Sequence, residues 1–124
     1  MKLLLDTHAA LWWLAADRRF GETAARLVAD PKNQVFLSAV VAWEVAIKRS
    51  LGKLSAPDGF ADTLLGAGAL ALPMTVAHAE AVGELPWHHR DPFDRLLVAQ
   101  AQIEGAVVVS RDPAFGPYGV PVAW

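Results

Sequence analysis

The chain has 124 residues, the length of one domain; 54% of them are hydrophobic and 19% are charged. This balance excludes an intrinsically disordered protein, because disordered chains are poor in apolar residues and carry a high net charge. The absence of cysteine excludes disulfide bonds, thiolate catalysis and cysteine-ligated zinc. Eleven basic and thirteen acidic residues give a net charge of −2, which argues against a protein that binds nucleic acid by bulk positive charge.

The apolar segments predict neither a membrane span nor a signal peptide. The longest of them, such as Ala39–Val45, are interrupted by charges well before the roughly 18–20 residues that a span requires. Asp6 follows directly after three leucines, which is not the pattern of a signal peptide. We therefore expect a cytoplasmic protein.

In the first half of the chain, short apolar strands alternate with helices. The predicted elements are a strand at Lys2–Leu5, helices at Thr7–Ala15 and Gly21–Ala29, a strand at Gln34–Leu37 and a helix from Ala39 to about Ser50. Asp30-Pro31 ends the second helix, and Ser38 has the side chain of an N-cap for the third.

The second half repeats this alternation. The predicted elements are a helix from Asp58 to about Gly66, a strand at Ala69–Leu72, a helix from Thr75 to Val82 or Gly83, a loop at Leu85–Arg90, a helix capped by Asp91 and ended by Gly105, a strand at Ala106–Val109 and an edge strand at Val120–Ala123. The alternation predicts the α/β class, with a mainly parallel open sheet flanked by helices on both faces. No linker or repeat divides the chain, so we predict a single domain spanning residues 1–124.

Two acids follow predicted strands. Asp6 comes straight after the first strand, and Asp112 follows Ser110 and Arg111 after the three consecutive valines. Open parallel sheets bind ligands beyond the carboxyl ends of their strands, so both acids are candidates for one site. An acid in this position equally serves to cap the next helix, and for each residue alone both interpretations stay open.

Glu44 is a carboxylate in an otherwise apolar helix. It is the only charged residue between Ser38 and Ile47, and a helix that is apolar nearly all round is buried on most sides. Burying an unpaired carboxylate costs several kcal/mol. An ion pair with Lys48, four residues on, is the simpler alternative, although such pairs contribute only about 0.3–0.5 kcal/mol. We favour a metal ion as the partner of Glu44.

Asp91 and Asp94 open the last long helix. Asp91 is the predicted N-cap, and an acid at the position of Asp94 interacts favourably with the helix dipole whatever else it does. This segment alone is weak evidence for chemistry. Together with Asp6, Glu44 and Asp112, however, Asp94 completes a candidate cluster of four acids.

A cluster of carboxylates predicts a divalent metal ion. Like charges brought together raise one another's pKa and destabilise the fold, and a hard cation removes that penalty. Mg²⁺ and Mn²⁺ take oxygen ligands and commonly bridge to substrate phosphates. No histidine spacing resembles a zinc site, and there is no glycine-rich phosphate loop. The residues therefore indicate metal-assisted phosphoryl chemistry, with the roles of His8, His88 and His89 left open.

The order of these residues resembles the PIN-domain family, and within it the VapC-type toxin ribonucleases of type II toxin–antitoxin systems. The resemblance runs from Lys2 to about Val122. It is carried by the segments LLDTH (Leu4–His8), LWWL (Leu11–Leu14), SAVVAWEVAIK (Ser38–Lys48), HRDPFDRLLVAQA (His89–Ala101) and VVVSRD (Val107–Asp112).

The resemblance implies a catalytic site that hydrolyses RNA phosphodiester bonds with a metal-activated water. The acids that it assigns to Mg²⁺ or Mn²⁺ are Asp6, Glu44, Asp94 and Asp112. The side chains that it suggests for orienting a carboxylate or a metal-bound water are Thr7 and Ser110. The arginines that it suggests for phosphate contact, unless they are solvated surface charges, are Arg90, Arg95 and Arg111.

The resemblance also implies partners. VapC-type toxins usually form homodimers and are neutralised by a small antitoxin, whose other domain binds operator DNA. We therefore expect an RNA substrate, a cognate VapB-like antitoxin and a homodimer, with no direct DNA binding and no membrane. Trp12 and Trp13 point about 100° apart on a helix, and one of them is expected to face the partner or the dimer interface.

Some alternatives are weaker and others stay open. An aspartyl-phosphate phosphatase needs a second acid after Asp6-Thr7, and the chain is too short for the helical insertions of a flap nuclease. A catalytically silent PIN-like binding module and a metal-dependent nuclease outside a toxin–antitoxin system remain.

The net charge has a different meaning if the four acids share a metal site. Nine of the thirteen acids then lie outside the site, and together with the eleven basic residues they give the rest of the chain a net charge of +2. The negative balance then argues only against RNA binding without the metal.

Overall fold

The computed structural model describes residues 1–124 as five strands, six α-helices and two 3₁₀ segments. The strands are β1 (Lys2–Leu5), β2 (Gln34–Ser38), β3 (Leu70–Leu72), β4 (Val107–Val109) and β5 (Val122–Ala123). The helices are α1 (Thr7–Leu14), α2 (Glu22–Ala29), α3 (Ala39–Ser50), α4 (Phe60–Gly66), α5 (Val76–Ala81) and α6 (Pro92–Glu104), and the 3₁₀ segments are Val82–Glu84 and Pro113–Tyr118. None of the helices has both the length and the apolar character of a membrane span.

All five strands are parallel and lie in the order β3-β2-β1-β4-β5. In the central strand β1, Leu4 is in register with Phe36 on one side and with Val108 on the other. Leu3, Leu4 and Leu5 have no exposed surface. Because successive side chains point to opposite faces of a sheet, both faces are covered. The predicted α/β class with a parallel open sheet is confirmed.

The topology creates a crevice at the carboxyl ends of two neighbouring strands inside the sheet, β1 and β4. From β1 the chain builds β2 and β3 on one side, and it then crosses to the other side to build β4 and β5. The connections that leave β1 and β4 therefore diverge at the carboxyl ends of these two strands. In open α/β sheets this is the place where ligands bind.

Local capping explains where the main helices begin and end. The Ser38 hydroxyl accepts a hydrogen bond from the amide two residues on, at 3.0 Å, and begins α3. The Asp91 carboxylate accepts hydrogen bonds from the amides of Phe93 and Asp94, the second and third residues of α6, at 2.9 and 3.0 Å. Gly105, with a φ of 64°, ends that helix in the left-handed conformation, which glycine adopts without strain. These boundaries agree with the sequence prediction.

Other boundaries differ from the prediction for identifiable reasons. α4 begins at Phe60 rather than Asp58, because Gly59 has a φ of 68° and interrupts the helix there. The 3₁₀ segment at Pro113–Tyr118 was not predicted, since its two prolines and its glycine are typical of a loop. The last strand is shorter than predicted, and the Pro121 carbonyl accepts a hydrogen bond from Val108 just before it.

A buried polar chain joins β2, α5 and α6. The Ser38 hydroxyl donates to the Gln100 side chain at 2.5 Å, and the Gln100 amide nitrogen lies 3.3 Å from Nδ1 of His78. Nε2 of His78 contacts Glu104 at 3.2 Å. These polar groups are satisfied within the core, so Ser38 and His78 hold elements together and do not reach the crevice.

Candidate metal centre

A cleft of about 360 Å³ opens at the crevice beyond β1 and β4. Its walls consist of Asp6, Thr7, His8, Trp12, Glu44, Lys48, Asp91, Asp94, Arg111, Asp112 and Pro113. The four acids selected from the sequence come from separate parts of the fold, yet all four face this one cavity. The fold therefore brings them together.

Asp6 lies at the junction of β1 and α1 and is largely buried. Its Oδ1 accepts a hydrogen bond from the Ala9 amide at 2.8 Å, which caps α1, and its Oδ2 accepts one from the Ser110 hydroxyl at 2.5 Å. Burial raises the pKa of Asp6, and these two hydrogen bonds oppose the rise without cancelling it. Asp6 therefore caps α1 and at the same time lines the cleft.

Glu44 is buried in α3 and held from two sides. One carboxylate oxygen accepts a hydrogen bond from the Thr7 hydroxyl, and the other forms an ion pair with Lys48. The ion pair that was the simpler alternative is therefore present. Because both partners line the cleft, Lys48 balances the charge of Glu44 inside the candidate site rather than away from it.

Asp94 faces the cleft from the first turn of α6 and contacts a histidine. Nε2 of His89 lies 2.9 Å from Oδ2 of Asp94. Burial raises the pKa of Asp94 to about 6, the charges of Asp91 and Glu44 add to the rise, and the His89 contact opposes it. At neutral pH the ionised form of Asp94 is therefore held at a cost in free energy that a cation in the cleft would relieve.

The structure adds two residues that the sequence analysis did not assign to a metal site. A ring nitrogen of His89 and carboxylate oxygens of Asp91 and Asp94 lie within 4.8 Å of one another, close enough to share an ion. Sequence reasoning treated Asp91 only as a helix cap and left His89 open. The available signal was the spacing His-x-Asp-x-x-Asp at the start of a helix, which places three possible ligands at one helix end.

Asp112 lies at the exposed rim of the cleft. Its Oδ1 accepts a hydrogen bond from the Ala114 amide at 2.9 Å and caps the 3₁₀ segment that follows. Its own amide donates to the Ser110 hydroxyl at 2.9 Å. Since the same hydroxyl donates to Asp6, Ser110 connects the two acids at the ends of β1 and β4.

The three arginines suggested as phosphate contacts occupy different environments. Arg111 is exposed on the cleft wall, with its guanidinium 4.6 Å from the centre of the Trp12 ring. Arg90 is exposed but does not form part of that wall. Arg95 corrects the prediction, because it is only 2% exposed and donates to four backbone carbonyls and to the Tyr118 hydroxyl. Its donors are occupied, and it has no free path to a phosphate in the cleft.

A family model covers nearly the whole chain. The PIN domain model matches residues 3–119. The chain belongs to the PIN domain family. No curated protein matches the sequence of this PIN domain.

Solved structures with the same fold include toxin–antitoxin proteins. VapBC2 from Rickettsia felis, bound to a promoter DNA fragment, has a TM-score of 0.73 and 16% identity, with 99% of this PIN domain and 98% of that chain covered. VapBC-1 from nontypeable Haemophilus influenzae has a TM-score of 0.69 and 17% identity, with coverages of 99% and 97%. Mycobacterium tuberculosis VapC20, a sarcin–ricin loop cleaving toxin, has a TM-score of 0.66 and 22% identity, with 95% of both chains covered. At these identities the likeness establishes the fold.

Proposed function

We propose that this PIN domain is a metal-dependent endoribonuclease and the toxin of a type II toxin–antitoxin pair. The observation that carries the proposal is the single cleft into which Asp6, Glu44, Asp94 and Asp112 converge from separate elements. Two further findings support it: the family is the PIN domain family, and a protein of the same fold is a toxin that cleaves the sarcin–ricin loop.

The donor set fits a hard divalent cation. The cleft offers carboxylate oxygens, the ligands that Mg²⁺ and Mn²⁺ prefer, and the chain has no cysteine to favour a softer metal. Burial raises the pKa of both Asp6 and Asp94, so positive charge in the cleft would offset the cost of their ionised forms. The four acids that line the cleft would hold the ion. The ligand atoms of Asp94, Asp91 and His89 lie within 4.8 Å of one another, so Asp91 and His89 would add to this set.

The remaining residues orient these ligands and attract the substrate. A bound Mg²⁺ or Mn²⁺ would supply an activated water and stabilise negative charge on the phosphodiester. Thr7 fixes one oxygen of Glu44, and Ser110 fixes one oxygen of Asp6. Lys48 and Arg111 place positive charges in the cleft wall, where an RNA phosphate would approach.

Metal removal tests the proposed activity. We expect the purified protein to cleave total cellular RNA in Mg²⁺ or Mn²⁺, to lose this activity in EDTA and to regain it when either ion is restored. Product formation is followed by gel electrophoresis, with single- and double-stranded DNA as control substrates. Cleavage that persists in EDTA would contradict the metal site. The absence of RNA cleavage with either ion would favour the silent binding module.

An apolar groove beside the cleft supports an antitoxin partner. The groove has a volume of about 480 Å³ and is lined by Trp12, Trp13, Ala16, Asp17, Phe20, Ala25, Val28 and Ala29, from α1, α2 and the turn between them. Trp12 belongs to the walls of both the groove and the cleft, so a chain segment seated in the groove would reach the acids. Trp13 lines only the groove and is the tryptophan we assign to the partner.

Ala25→Glu is expected to weaken antitoxin binding by about 30-fold or more, because it places bulk and charge in an apolar groove. Ala25 is exposed, so the fold should tolerate the change. The probe is the product of the adjacent reading frame, co-expressed with each variant, and binding is measured by calorimetry. Ala79→Glu, an exposed alanine of α5, is the matched control. Equal affinity for the two variants, or no binding partner encoded next to this chain, would contradict the partner proposal.

A further inference from the structure

We propose that Trp87 is a stacking surface for a nucleobase of the RNA substrate beside the cleft. The inference rests on the proposed ribonuclease function and adds a contact that recognises a base rather than a phosphate. It follows from three features of the Leu85–Arg90 loop: an exposed ring, a rigid support and a direct connection to the candidate site.

The Trp87 side chain is held in place yet open to solvent. It is 77% exposed, although the chain has a well-formed apolar core. The guanidinium carbon of Arg95 lies 3.9 Å from the centre of its ring, a distance typical of cation–π stacking. One face of the indole is therefore covered by Arg95, and the exposure of the residue leaves the opposite face free. An aromatic ring presented in this way is the arrangement by which proteins stack single-stranded RNA bases.

Arg95 gives the loop a rigid support. Its two terminal nitrogens donate to the carbonyls of Val82, Leu85 and Pro86 at 2.9–3.3 Å. The same guanidinium donates to the Tyr118 hydroxyl at 3.1 Å, which also accepts a hydrogen bond from the His89 amide at 3.0 Å. The loop is thus ordered before any substrate arrives. A preordered ring loses little conformational entropy when a base stacks on it.

The loop leads from Trp87 directly to the candidate metal centre. His89, two residues further on, contacts Asp94 through its ring nitrogen at 2.9 Å. Two residues of extended chain span at most about 7 Å. A base that stacks on Trp87 would therefore belong to a nucleotide close to the phosphodiester bound among the acids.

The charges of the loop favour RNA over a protein as the occupant. Between Leu85 and Arg90 there is no acidic residue, and His88 and Arg90, which follow the tryptophan in the loop, are exposed. This surface complements a polyanion with unpaired bases. The groove assigned to the antitoxin is formed by other elements and does not include Trp87.

Comparing the binding of an RNA oligomer with that of an oligomer that lacks bases separates base stacking from phosphate binding. The probes are a fluorescein-labelled 12-nucleotide oligoadenylate and an abasic oligomer with the same phosphodiester backbone, and binding is measured by fluorescence anisotropy in Ca²⁺. We expect Trp87→Ala to raise the Kd for the oligoadenylate by about 5- to 100-fold and to leave the Kd for the abasic oligomer unchanged. Trp87→Phe, which keeps a ring, should stay within about threefold of the unmodified protein. Val76→Ala, at a 74% exposed residue of α5, is the matched control.

The outcomes distinguish this inference from the proposed function. Suppose that the unmodified protein cleaves RNA in Mg²⁺ and that the Trp87→Ala variant binds oligoadenylate with the same Kd as the unmodified protein. The stacking role is then wrong, and the proposed ribonuclease function is retained. If the unmodified protein binds RNA without cleaving it, the activity is wrong, and the Kd comparison still decides the role of Trp87. A protein that binds no RNA overturns both. A variant with unchanged RNA affinity but an altered oligomeric state or antitoxin affinity would assign Trp87 to a protein contact instead.

Discussion

Asp94→Asn is expected to abolish metal-dependent RNA cleavage, with a loss of about a thousandfold or more, and to stabilise the metal-free protein at neutral pH. The loss follows from the position of Asp94 in the cleft, where its carboxylate is one of the proposed metal ligands. An amide has nearly the same shape but no charge, so it keeps the packing and gives up most of the attraction for a cation. Asp6→Asn should lose cleavage for the same reason.

The gain in stability has a defined pH dependence. The pKa of Asp94 is about 6 in the folded protein, against a reference value of 3.8, because the group is buried near other acids. The folded state therefore binds this proton more tightly than the unfolded state does. The free energy of unfolding falls as the pH rises from about 4 to about 6, and the full cost is present above that range. At about 1.4 kcal/mol per pKa unit the cost approaches 3 kcal/mol, of which we expect Asp94→Asn to recover about 1–3 kcal/mol at pH 7.5.

Urea unfolding in EDTA at pH 7.5 and at pH 4 measures this effect, and single-turnover cleavage in Mg²⁺ measures the activity. The difference in stability between Asp94→Asn and the unmodified protein should nearly disappear at pH 4. Asp62→Asn, at an exposed acid of α4, is the matched control and should change neither quantity. Cleavage by Asp94→Asn at close to the rate of the unmodified protein would contradict the metal site. A destabilised variant at pH 7.5 would contradict the electrostatic argument.

Arg95→Met is expected to destabilise the protein by about 3–5 kcal/mol, because it removes the donors that satisfy buried oxygens. The guanidinium donates to four carbonyls and one hydroxyl, and none of these acceptors is a carboxylate. Methionine fills much of the volume but leaves the carbonyls of the Val82–His89 segment without partners. Lysine at this position keeps the charge and cannot reproduce the planar set of donors, so Arg95→Lys should recover little of the loss.

Thermal unfolding by circular dichroism checks this prediction. A loss of 3–5 kcal/mol corresponds to a decrease in Tm of roughly 10–20 °C for a domain of this size. Arg90→Met is the matched control, since Arg90 lies in the same loop with its side chain exposed, and it should shift the stability by less than about 0.5 kcal/mol. A similar small shift for Arg95→Met would show that the loop does not depend on this side chain.

Sequence patterns predicted those parts of the fold that depend on neighbouring residues. The strand Lys2–Leu5 and the helix between Asp91 and Gly105 were correct because an apolar run, an N-cap and a C-terminal glycine act over one or two turns of chain. The 3₁₀ segment after Asp112 was missed, since the tertiary contacts of Phe115 and Tyr118 order residues that locally resemble a loop. The order of the strands also depends on contacts between distant residues.

The features of the candidate site also fall into two groups: those that sequence patterns identify and those that only the folded chain brings together. Glu44 was recognisable because a lone carboxylate in an apolar helix needs a partner, and Asp6 because it follows a strand of a parallel sheet. The ion pair with Lys48 and the contact between His89 and Asp94 required the folded chain. Arg95 shows the limit most plainly: the resemblance suggested a phosphate contact or a solvated surface charge, and its burial follows from the Val82–His89 segment folding over it.

The sequence by itself therefore determined the α/β class, the acids that meet in the cleft and the family resemblance, because these depend on local periodicity and on residue type. Only the tertiary structure decided that Asp91 and His89 join Asp94, that Arg95 supports a loop, and that the Trp87 side chain stays exposed on it. The physical reason is that burial and charge pairing are properties of side chains that meet across the fold. Their positions relative to one another are set by packing, which sequence spacing does not record.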